Sequence, residues 1–378
     1  MTPKPENDPN VSAIRTQLEE IVGRHLKKWH RDGAIPRDAF TALGRRGLLG
    51  LTMAANRPSL ESCAQRARLF EETARLSAGV AIAMLAHADL GFTGLHLYGS
   101  PALIDAYGPG AVRGETLLCL GNTEGHAGSD VAAIKMRAHL DGDGWRLNGT
   151  KAYVTNGALA DYAVITAQTD PEAERTRRLS LFWVDLNQPG VARRRLNKTV
   201  WLPSDLTRLT FSNVRVPADH LMGTRGMGLP QVLAIFTHSR VPISALTLGS
   251  ASEALDRGIE RLRRRKVFGR PLADFQAKAF EAADYYARLQ AARKMGEAAC
   301  SAVDTGGDFR LEASMAKYLA VDIARRIGTW TADLFGAASV MEDHPAHRFP
   351  LDAWASSLGE GTQDVQKLII ARRILKTP

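Results

Sequence analysis

Glu360 is the residue of this 378-residue chain whose setting most suggests chemistry, because it lies between Gly359 and Gly361. The apolar-periodic segment 363–373 follows directly and predicts a final helix. A carboxylate on a glycine-flanked turn has little steric cover, which suits the removal of a proton from a bound substrate. Most glutamates in loops are simply solvated, so the hypothesis that Glu360 is a general base depends on the rest of the chain.

Two other segments could hold a flat ligand that forms hydrogen bonds. The loop 122–130 contains glycines that let backbone amides approach closely, and Thr123 and Ser129 offer hydroxyls. The strand pattern 148–157 has turn signals at both ends, and alternation predicts that Tyr153 and Thr155 face the same side. Taken alone, the loop is also typical of a hairpin connection and the strand of a half-buried β surface.

Composition narrows the class of protein. The length predicts two or three domains, and 45% hydrophobic with 24% charged residues is typical of a soluble globular protein. Cys63, Cys119 and Cys300 are few and far apart, which argues against a disulfide framework and favours a reducing cytoplasm. Residues 1–8 are polar, which predicts a frayed terminus without a secretory signal. The apolar stretch 78–97 is interrupted by His87 and Asp89, so a buried helix explains it better than a membrane span.

The formal net charge of +9 could indicate an anionic partner, and the densest basic run lies within 257–270. A solvated helix face explains the run equally well. No zinc finger, basic zipper or RNA-reading motif accompanies the charge, so we expect no nucleic-acid partner. Coenzyme A, another phosphate-rich cofactor or an acidic carrier protein would fit it.

The period of the apolar residues changes twice along the chain. Residues 10–116 read as helices, with one stripe at Ile14, Leu18 and Val22. Short β-rich runs separated by turn signals fill 117–226 and predict an antiparallel β-domain. Helices resume afterwards, including a core-facing stripe at nearly fourfold spacing: Met315, Leu319, Ile323, Ile327 and Leu334. No Gly-x-Gly-x-x-Gly motif joins a strand to a helix, which argues against a doubly wound nucleotide fold.

These segments, in this order, resemble the acyl-CoA dehydrogenase family over most of the chain. The family's Thr-Glu-x-x-x-Gly-Ser-Asp loop is similar to 123–130, and its Lys-x-aromatic-x-Thr-Asn-Gly strand to 151–157. Its Arg-x-x-Phe-Gly segment is similar to 265–272, and its Glu-Gly-Thr element to 358–373. The resemblance implies an α+β fold with an N-terminal helical domain (1–116), a middle antiparallel, β-barrel-like domain (117–226) and a C-terminal four-helix bundle (227–378).

The resemblance also implies FAD-dependent α,β-dehydrogenation of an acyl thioester. Glu360 would remove the α-proton while flavin N5 takes the β-hydride. The implied FAD-binding residues are Thr123, Ser129, Tyr153, Thr155, Arg265, Phe268, Gln276, Gly336 and Thr362. The implied substrate contacts are Ser129, Arg240 and Gly361, with no metal. Because the family's Arg-x-x-Phe-Gly segment reaches FAD across a subunit interface, we expect a homodimer or homotetramer.

Several positions depart from the family pattern. Ser239 stands where a subset of the family has an alternative catalytic glutamate, which favours Glu360 as the base. Asp333 and Ala337 replace a glutamine and a glycine near FAD. Thr237 replaces an aspartate that contacts pantetheine in some members, and residues 53–58 replace a Tyr-Gly-Gly loop. Coenzyme A recognition is therefore less firmly indicated than flavin chemistry.

Alternatives remain open at the level of sequence. The acyl group could be presented on coenzyme A or on an acyl carrier protein, and the resemblance implies an electron-transfer flavoprotein as acceptor. A flavin oxidase or monooxygenase is a second class, and a non-autonomous partner subunit of a hetero-oligomeric dehydrogenase is a third. A metal hydrolase is remote, since Pro345 lies between His344 and His347 and argues against a metal-binding helix.

A helical N-cap at Thr362, with Asp364 in the first turn, is the structural role expected there.

Overall fold

The computed structural model describes residues 9–376. The segment 1–8, for which the sequence predicts a frayed terminus, lies outside the described residues. The α-helices of the described part are α1 (Pro9–Ile21), α2 (Leu26–Asp32), α3 (Arg37–Arg45), α4 (Cys63–Leu76), α5 (Ala78–Leu85), α6 (Thr93–Tyr98), α7 (Pro101–Val112), α8 (Gly228–Arg264), α9 (Gln276–Asp304), α10 (Arg310–Phe335), α11 (Arg348–Ala355) and α12 (Gln363–Leu375).

Between the two groups of helices lies most of the β structure. The strands are β1 (Leu51–Ala54), β2 (Arg57–Leu60), β3 (Leu118–Gly121), β4 (Arg137–Asp141), β5 (Gly144–Val154), β6 (Tyr162–Gln168), β7 (Leu179–Asp185), β8 (Val191–Arg195), β9 (Thr207–Pro217), β10 (Leu221–Met222), β11 (Lys266–Val267) and β12 (Arg270–Pro271). This confirms the predicted order of helices, strands and helices.

The stretch that the sequence assigned to a buried helix forms α5, a π-helical segment (Ala86–Phe92) and α6 in continuous succession. This helix and α8 are long and apolar enough to cross a membrane, but 94% and 78% of their apolar windows are buried inside the fold. They are therefore core helices, as expected for the first. The π-helical turn directs His87 and Asp89 inward, where both are fully buried.

The N-terminal region is not wholly helical, contrary to the sequence prediction. Strands β1 and β2 pair as an antiparallel hairpin in which Leu51 faces Leu60. The two residues that join them, Ala55 and Asn56, have φ values of 48° and 63°. Two successive positive φ angles match the right-handed twist of a two-residue hairpin. The turn lacks the glycine that usually marks such hairpins, so the sequence signal was weak.

The central sheet is mixed, which corrects the expectation of a purely antiparallel domain. Its strand order is β10-β7-β6-β4-β5-β9-β8, and β3 also pairs with β6. The β3–β6 pair is parallel, with Leu118 opposite Tyr162, and the remaining long pairs are antiparallel. Parallel neighbours need a long connection. Strands β4 and β5 supply it here.

In the C-terminal bundle, α10 packs against α8, α9, α11 and α12. Ile323 and Ile327 of the predicted stripe are buried, but Leu319 is 40% exposed, so the predicted core face was partly wrong. The buried face of α10 runs instead through small residues and a lysine: Ala313, Ala316, Lys317, Ala320 and Ala324. A search for large apolar side chains overlooks this face, because most of its residues are alanines.

Carboxylates join the domains. Asp304, the last residue of α9, accepts hydrogen bonds from the backbone N–H of Cys63 at 2.6 Å and of Ala64 at 3.2 Å, at the start of α4. Asp352 of α11 accepts one from the backbone N–H of Trp201 at 2.5 Å, in the loop between β8 and β9. The bundle is thereby fixed to both the N-terminal helices and the sheet.

Candidate active site

Glu360 lies in the turn between α11 and α12 with a left-handed backbone, φ 49°. Gly361 follows at φ 94°, and a side chain there would come within 2.9 Å of Gln366 Nε2. Thr362 then caps α12, since its hydroxyl accepts a hydrogen bond from Val365 N at 3.4 Å. The N-cap prediction is confirmed. A non-glycine residue at positive φ is held there by its surroundings, which is common at functional sites.

Three buried side chains hold the turn by its carbonyl oxygens. Lys317 Nζ donates to the carbonyls of Gly359 and Gly361, the second at 2.5 Å. Arg240 Nε donates to Glu360 O at 3.2 Å. Gln366 Nε2 donates to Glu360 O at 3.2 Å and to Gly361 O at 2.8 Å. Every carbonyl from 359 to 361 therefore has a side-chain donor, which compensates for the strained backbone.

Charged side chains near the Glu360 carboxylate shift its pKa in opposite directions. Burial raises its pKa, while attraction to Lys317 and Arg240 lowers it and repulsion from Asp89 raises it further. Its Oε2 atom is buried and has no hydrogen-bond partner among the described residues. Burial lowers the pKa of Lys317 to about 8 and that of Arg240 to about 10, although Glu360 opposes both shifts. A carboxylate with a raised pKa and an unused oxygen is suited to general-base chemistry.

Sequence reasoning found neither Lys317 nor the buried ion pair between Arg66 and Asp89. Arg66 Nε lies 3.0 Å from Asp89 Oδ1, with the two side chains 3% and 0% exposed. Burial raises the pKa of Asp89 to about 6, and Arg66 opposes the shift. Two features of the sequence could have indicated these buried charges. Lys317 lies inside the alanine-rich stretch 313–320, and Asp89 lies within the most apolar helix.

Ser239, at the position of the alternative base, and the nearby Thr237 form hydrogen bonds inside the protein. The Ser239 hydroxyl donates to Phe236 O at 3.2 Å within its own helix. Thr237 donates to Leu233 O at 2.8 Å and accepts from Arg240 Nη1 at 3.2 Å. Arg240 thus has partners inside the protein, and its contact with a substrate remains a prediction, as does that of Gly361.

The predicted cofactor loop and strand do come together in the sheet domain. Ala152 N donates to Thr123 O at 2.8 Å, and Asn156 Nδ2 donates to Ala83 O at 2.7 Å, which fixes the strand end to α5. Glu124 Oε1 lies 2.8 Å from the buried Lys151 Nζ. Burial acts to raise the pKa of Glu124, but Lys151 and backbone hydrogen bonds from Lys135 and Met136 together lower it.

The strand does not alternate as predicted. The pairing of β5 with β9 shifts between Lys151 and Val154, and Tyr153 inside this bulge has φ 56°. β5 ends at Val154, so Thr155 lies in the following turn. A bulge inserts one residue and re-aims the side chains beside it. The prediction that Tyr153 and Thr155 share a strand face was therefore wrong, although the hydrogen bond from Ala152 N to Thr123 O holds this part of the strand beside the loop.

The surface here fits a flat cofactor with phosphate groups. The Tyr153 ring is 62% exposed, and Ser129 is also exposed. An added side chain at Gly125 or Gly128 would meet nothing within 4 Å, so the loop backbone is open to a ligand. An open glycine backbone, hydroxyls and an aromatic face are groups that can bind FAD.

The other predicted FAD residues form a second group in the bundle domain. Arg265, Phe268 and Gln276 are exposed around the β11–β12 hairpin, with Phe268 91% exposed. Arg261 donates to Leu334 O at 3.2 Å, which ties the end of α8 to the helix that precedes Gly336. No hydrogen bond or ion pair between described residues joins this group to Thr123, Ser129, Tyr153 or Thr155.

Comparison with known proteins identifies the family. Models of the acyl-CoA dehydrogenase N-terminal, middle and C-terminal domains match residues 5–115, 119–214 and 226–375. The probable acyl-CoA dehydrogenase FadE25 of Mycobacterium tuberculosis is 31% identical, over 98% of this chain and 96% of that protein.

Solved structures agree with this. Butyryl-CoA dehydrogenase from Megasphaera elsdenii superposes with a TM-score of 0.90 at 26% identity, over 97% of this chain and 98% of that one. A chain in the structure of the electron transferring flavoprotein of Acidaminococcus fermentans gives 0.92 at 26% identity, over 97% and 98%. The fold and the matches define an FAD-dependent oxidoreductase that acts on CH–CH groups. The chain belongs to the acyl-CoA dehydrogenase family, and this membership supports acyl-CoA dehydrogenation as its activity.

Proposed function

We propose that this enzyme performs α,β-dehydrogenation of an acyl thioester with Glu360 as the base that removes the α-proton. The observation that carries the proposal is a half-buried glutamate whose Oε2 atom is buried and has no partner among the described residues, on a turn whose three carbonyls are all bound by side chains. A fixed base in a water-poor site loses little free energy to reorganisation during proton transfer. Bound FAD would supply the acceptor for the β-hydride.

The remaining roles are those that the resemblance to the family implies for the matching residues. Thr123, Ser129, Tyr153 and Thr155 would bind FAD on the sheet domain, with Thr362 at the start of α12. Arg265, Phe268, Gln276 and Gly336 would reach the same FAD from a second copy of the chain. The 91% exposure of Phe268 supports a homodimer or homotetramer, because a fully exposed phenylalanine on a strained hairpin is costly unless a partner covers it.

Two partners complete the proposal. The likeness to a chain from the Acidaminococcus fermentans electron transferring flavoprotein structure favours an electron-transfer flavoprotein as acceptor. For the thioester, coenzyme A is the carrier that the relatives' names indicate. An acyl carrier protein is a second candidate, since Arg263, Arg265 and Lys266 are exposed beside the implied FAD site and would attract an acidic surface.

Flavin bleaching by substrate under anaerobic conditions tests this function. The Glu360→Gln protein should bind FAD yet lose bleaching by at least ~100-fold, because an amide cannot accept the α-proton. Glu342→Gln is the matched control, since Glu342 is exposed and its substitution should leave the rate unchanged. Bleaching of the Glu360→Gln protein at the normal rate would disprove the assignment. The same acyl group on coenzyme A and on carrier protein then decides between the two carriers.

A further inference from the structure

Lys317 is a fully buried lysine whose hydrogen bonds go to neutral groups. It lies on the alanine-lined face of α10, and Nζ donates to the carbonyls of Gly359 and Gly361 on either side of Glu360. An ammonium group is expensive to bury without a compensating charge. Glu360 is the acidic residue that acts on it, because it is the group that favours the charged form of Lys317.

We propose that Lys317 is a positioning residue that holds the Glu360 turn by two hydrogen bonds and sets, by its charge, the pH range in which Glu360 acts as a base. This inference rests on the proposed function, in which Glu360 removes the α-proton. Lys317 itself need not touch the substrate. It acts through the backbone and through the field at the carboxylate.

The electrostatic part follows from the groups that face the carboxylate. Lys317 of α10 and Arg240 of α8 favour the ionised form, Asp89 of the π-helical segment disfavours it, and α12 contributes the neutral Gln366. Burial alone raises the pKa of Glu360 and so favours the protonated form, which cannot accept a proton. The positive charge of Lys317 counteracts burial. Its loss should therefore raise the pKa of Glu360 further.

The hydrogen bonds of Lys317 to the turn and the effect of its charge can be tested separately. Gln366 also donates hydrogen bonds to the turn, but it carries no charge. Gln366 is fully buried and donates to the carbonyls of Glu360 and Gly361. Gln366→Met would remove hydrogen bonds to the turn and leave every charge in place. Lys317→Met would remove two hydrogen bonds together with the charge, at nearly the same volume. The Gln366 variant is therefore the matched control for tethering.

The experiment measures the rate of flavin bleaching against pH for the FAD-loaded wild type, Lys317→Met, Lys317→Gln and Gln366→Met. We expect the acid limb of the profile to move to higher pH by about one unit or more in both Lys317 variants, the usual effect of removing a neighbouring charge. Gln366→Met should lower the rate without moving the limb. If the acid limb lies at the same pH in the Lys317 variants and in Gln366→Met, the charge of Lys317 does not set the pH range of Glu360.

A readout independent of turnover is the infrared carboxyl band of Glu360, assigned by its absence from the Glu360→Gln protein. In the wild type this band should titrate below about pH 8, the pKa of Lys317, so that both groups carry charge together. A band that persists above that pH would overturn the inference even if no Lys317 variant folds. Normal bleaching by Glu360→Gln would instead overturn the proposed function, so the two failures are distinguishable.

Discussion

Glu124 and Lys151 form a buried ion pair, 2.8 Å between Oε1 and Nζ, that joins the loop 122–130 to strand β5. Lys151 also donates to Asn122 O at 3.0 Å, and Glu124 accepts from the backbone N–H of Lys135 and Met136. The pair therefore fixes the segments that carry Thr123 and Tyr153. Glu124 and Lys151 belong to the two motifs that resemble the family's flavin-flanking segments, and here they support from inside the surface predicted to bind the cofactor.

Breaking this pair from one side should be costly. Lys151→Met leaves the Glu124 carboxylate buried without its counter-charge, and we expect a loss of about 3–5 kcal/mol in the free energy of unfolding. Arg215→Ala is the control, because the Arg215–Asp143 pair is exposed and should contribute less than about 1 kcal/mol. Urea unfolding measures both variants. Equal, small losses would mean that the buried pair does not support the loop.

Gly361→Ala should disturb the base turn selectively. The backbone at φ 94° strains any other residue, and the new Cβ would lie 2.9 Å from Gln366 Nε2 and 3.0 Å from Val365 Cγ1. We expect bleaching to slow by about tenfold or more, since small displacements of a reacting group are costly. In Gly359→Ala the added Cβ meets only Ile243 Cδ1 at 3.9 Å. A rate in Gly361→Ala no lower than in Gly359→Ala would contradict the prediction.

Arg265→Ala should weaken FAD binding and not the chemistry of Glu360. A hydrogen bond from a charged group to phosphate contributes about 1.5–3 kcal/mol, so the Kd for FAD should rise by roughly 10- to 100-fold. Arg263→Ala removes an exposed arginine two residues away and is the matched control. Fluorescence titration of the apoprotein with FAD measures both. An unchanged Kd for Arg265→Ala would remove this residue from the cofactor site.

Asp352→Asn should change how stability depends on pH. Burial raises the pKa of Asp352 from 3.8 to about 6 in the folded protein, so between these values the folded state holds more protons than the unfolded state. The free energy of unfolding of the wild type therefore falls as pH rises from about 4 to 6. The asparagine keeps an oxygen for Trp201 N but does not titrate.

The stability of the Asp352→Asn protein relative to the wild type should accordingly increase over the same interval, by the order of 1–3 kcal/mol. Thermal or urea unfolding at pH 4, 5, 6 and 7 measures this difference. A difference that is constant across the four pH values would show that Asp352 ionises normally in the fold.

Much of the architecture was predictable from local pattern. The apolar stretch 78–97 with its internal polar residues indicated a buried helix, and turn signals located the β-domain. Two failures arose where a backbone departs from regular geometry without a glycine: the Ala55-Asn56 hairpin turn and the bulge at Tyr153, all at positive φ. Such conformations are imposed by neighbouring strands and helices, so single-residue preferences do not reveal them.

The sequence by itself determined the order of the segments, the glycine-flanked position of Glu360 and the capped helix that follows it, because these depend on neighbours along the chain. Only the tertiary structure decided which charged residues are buried and what they hold. Lys317 meets the Glu360 turn across 42 to 44 residues, and Lys151 meets Glu124 across 27. A lysine is buried only where distant carbonyls or a carboxylate receive its charge, and apolar periodicity carries no information about such partners.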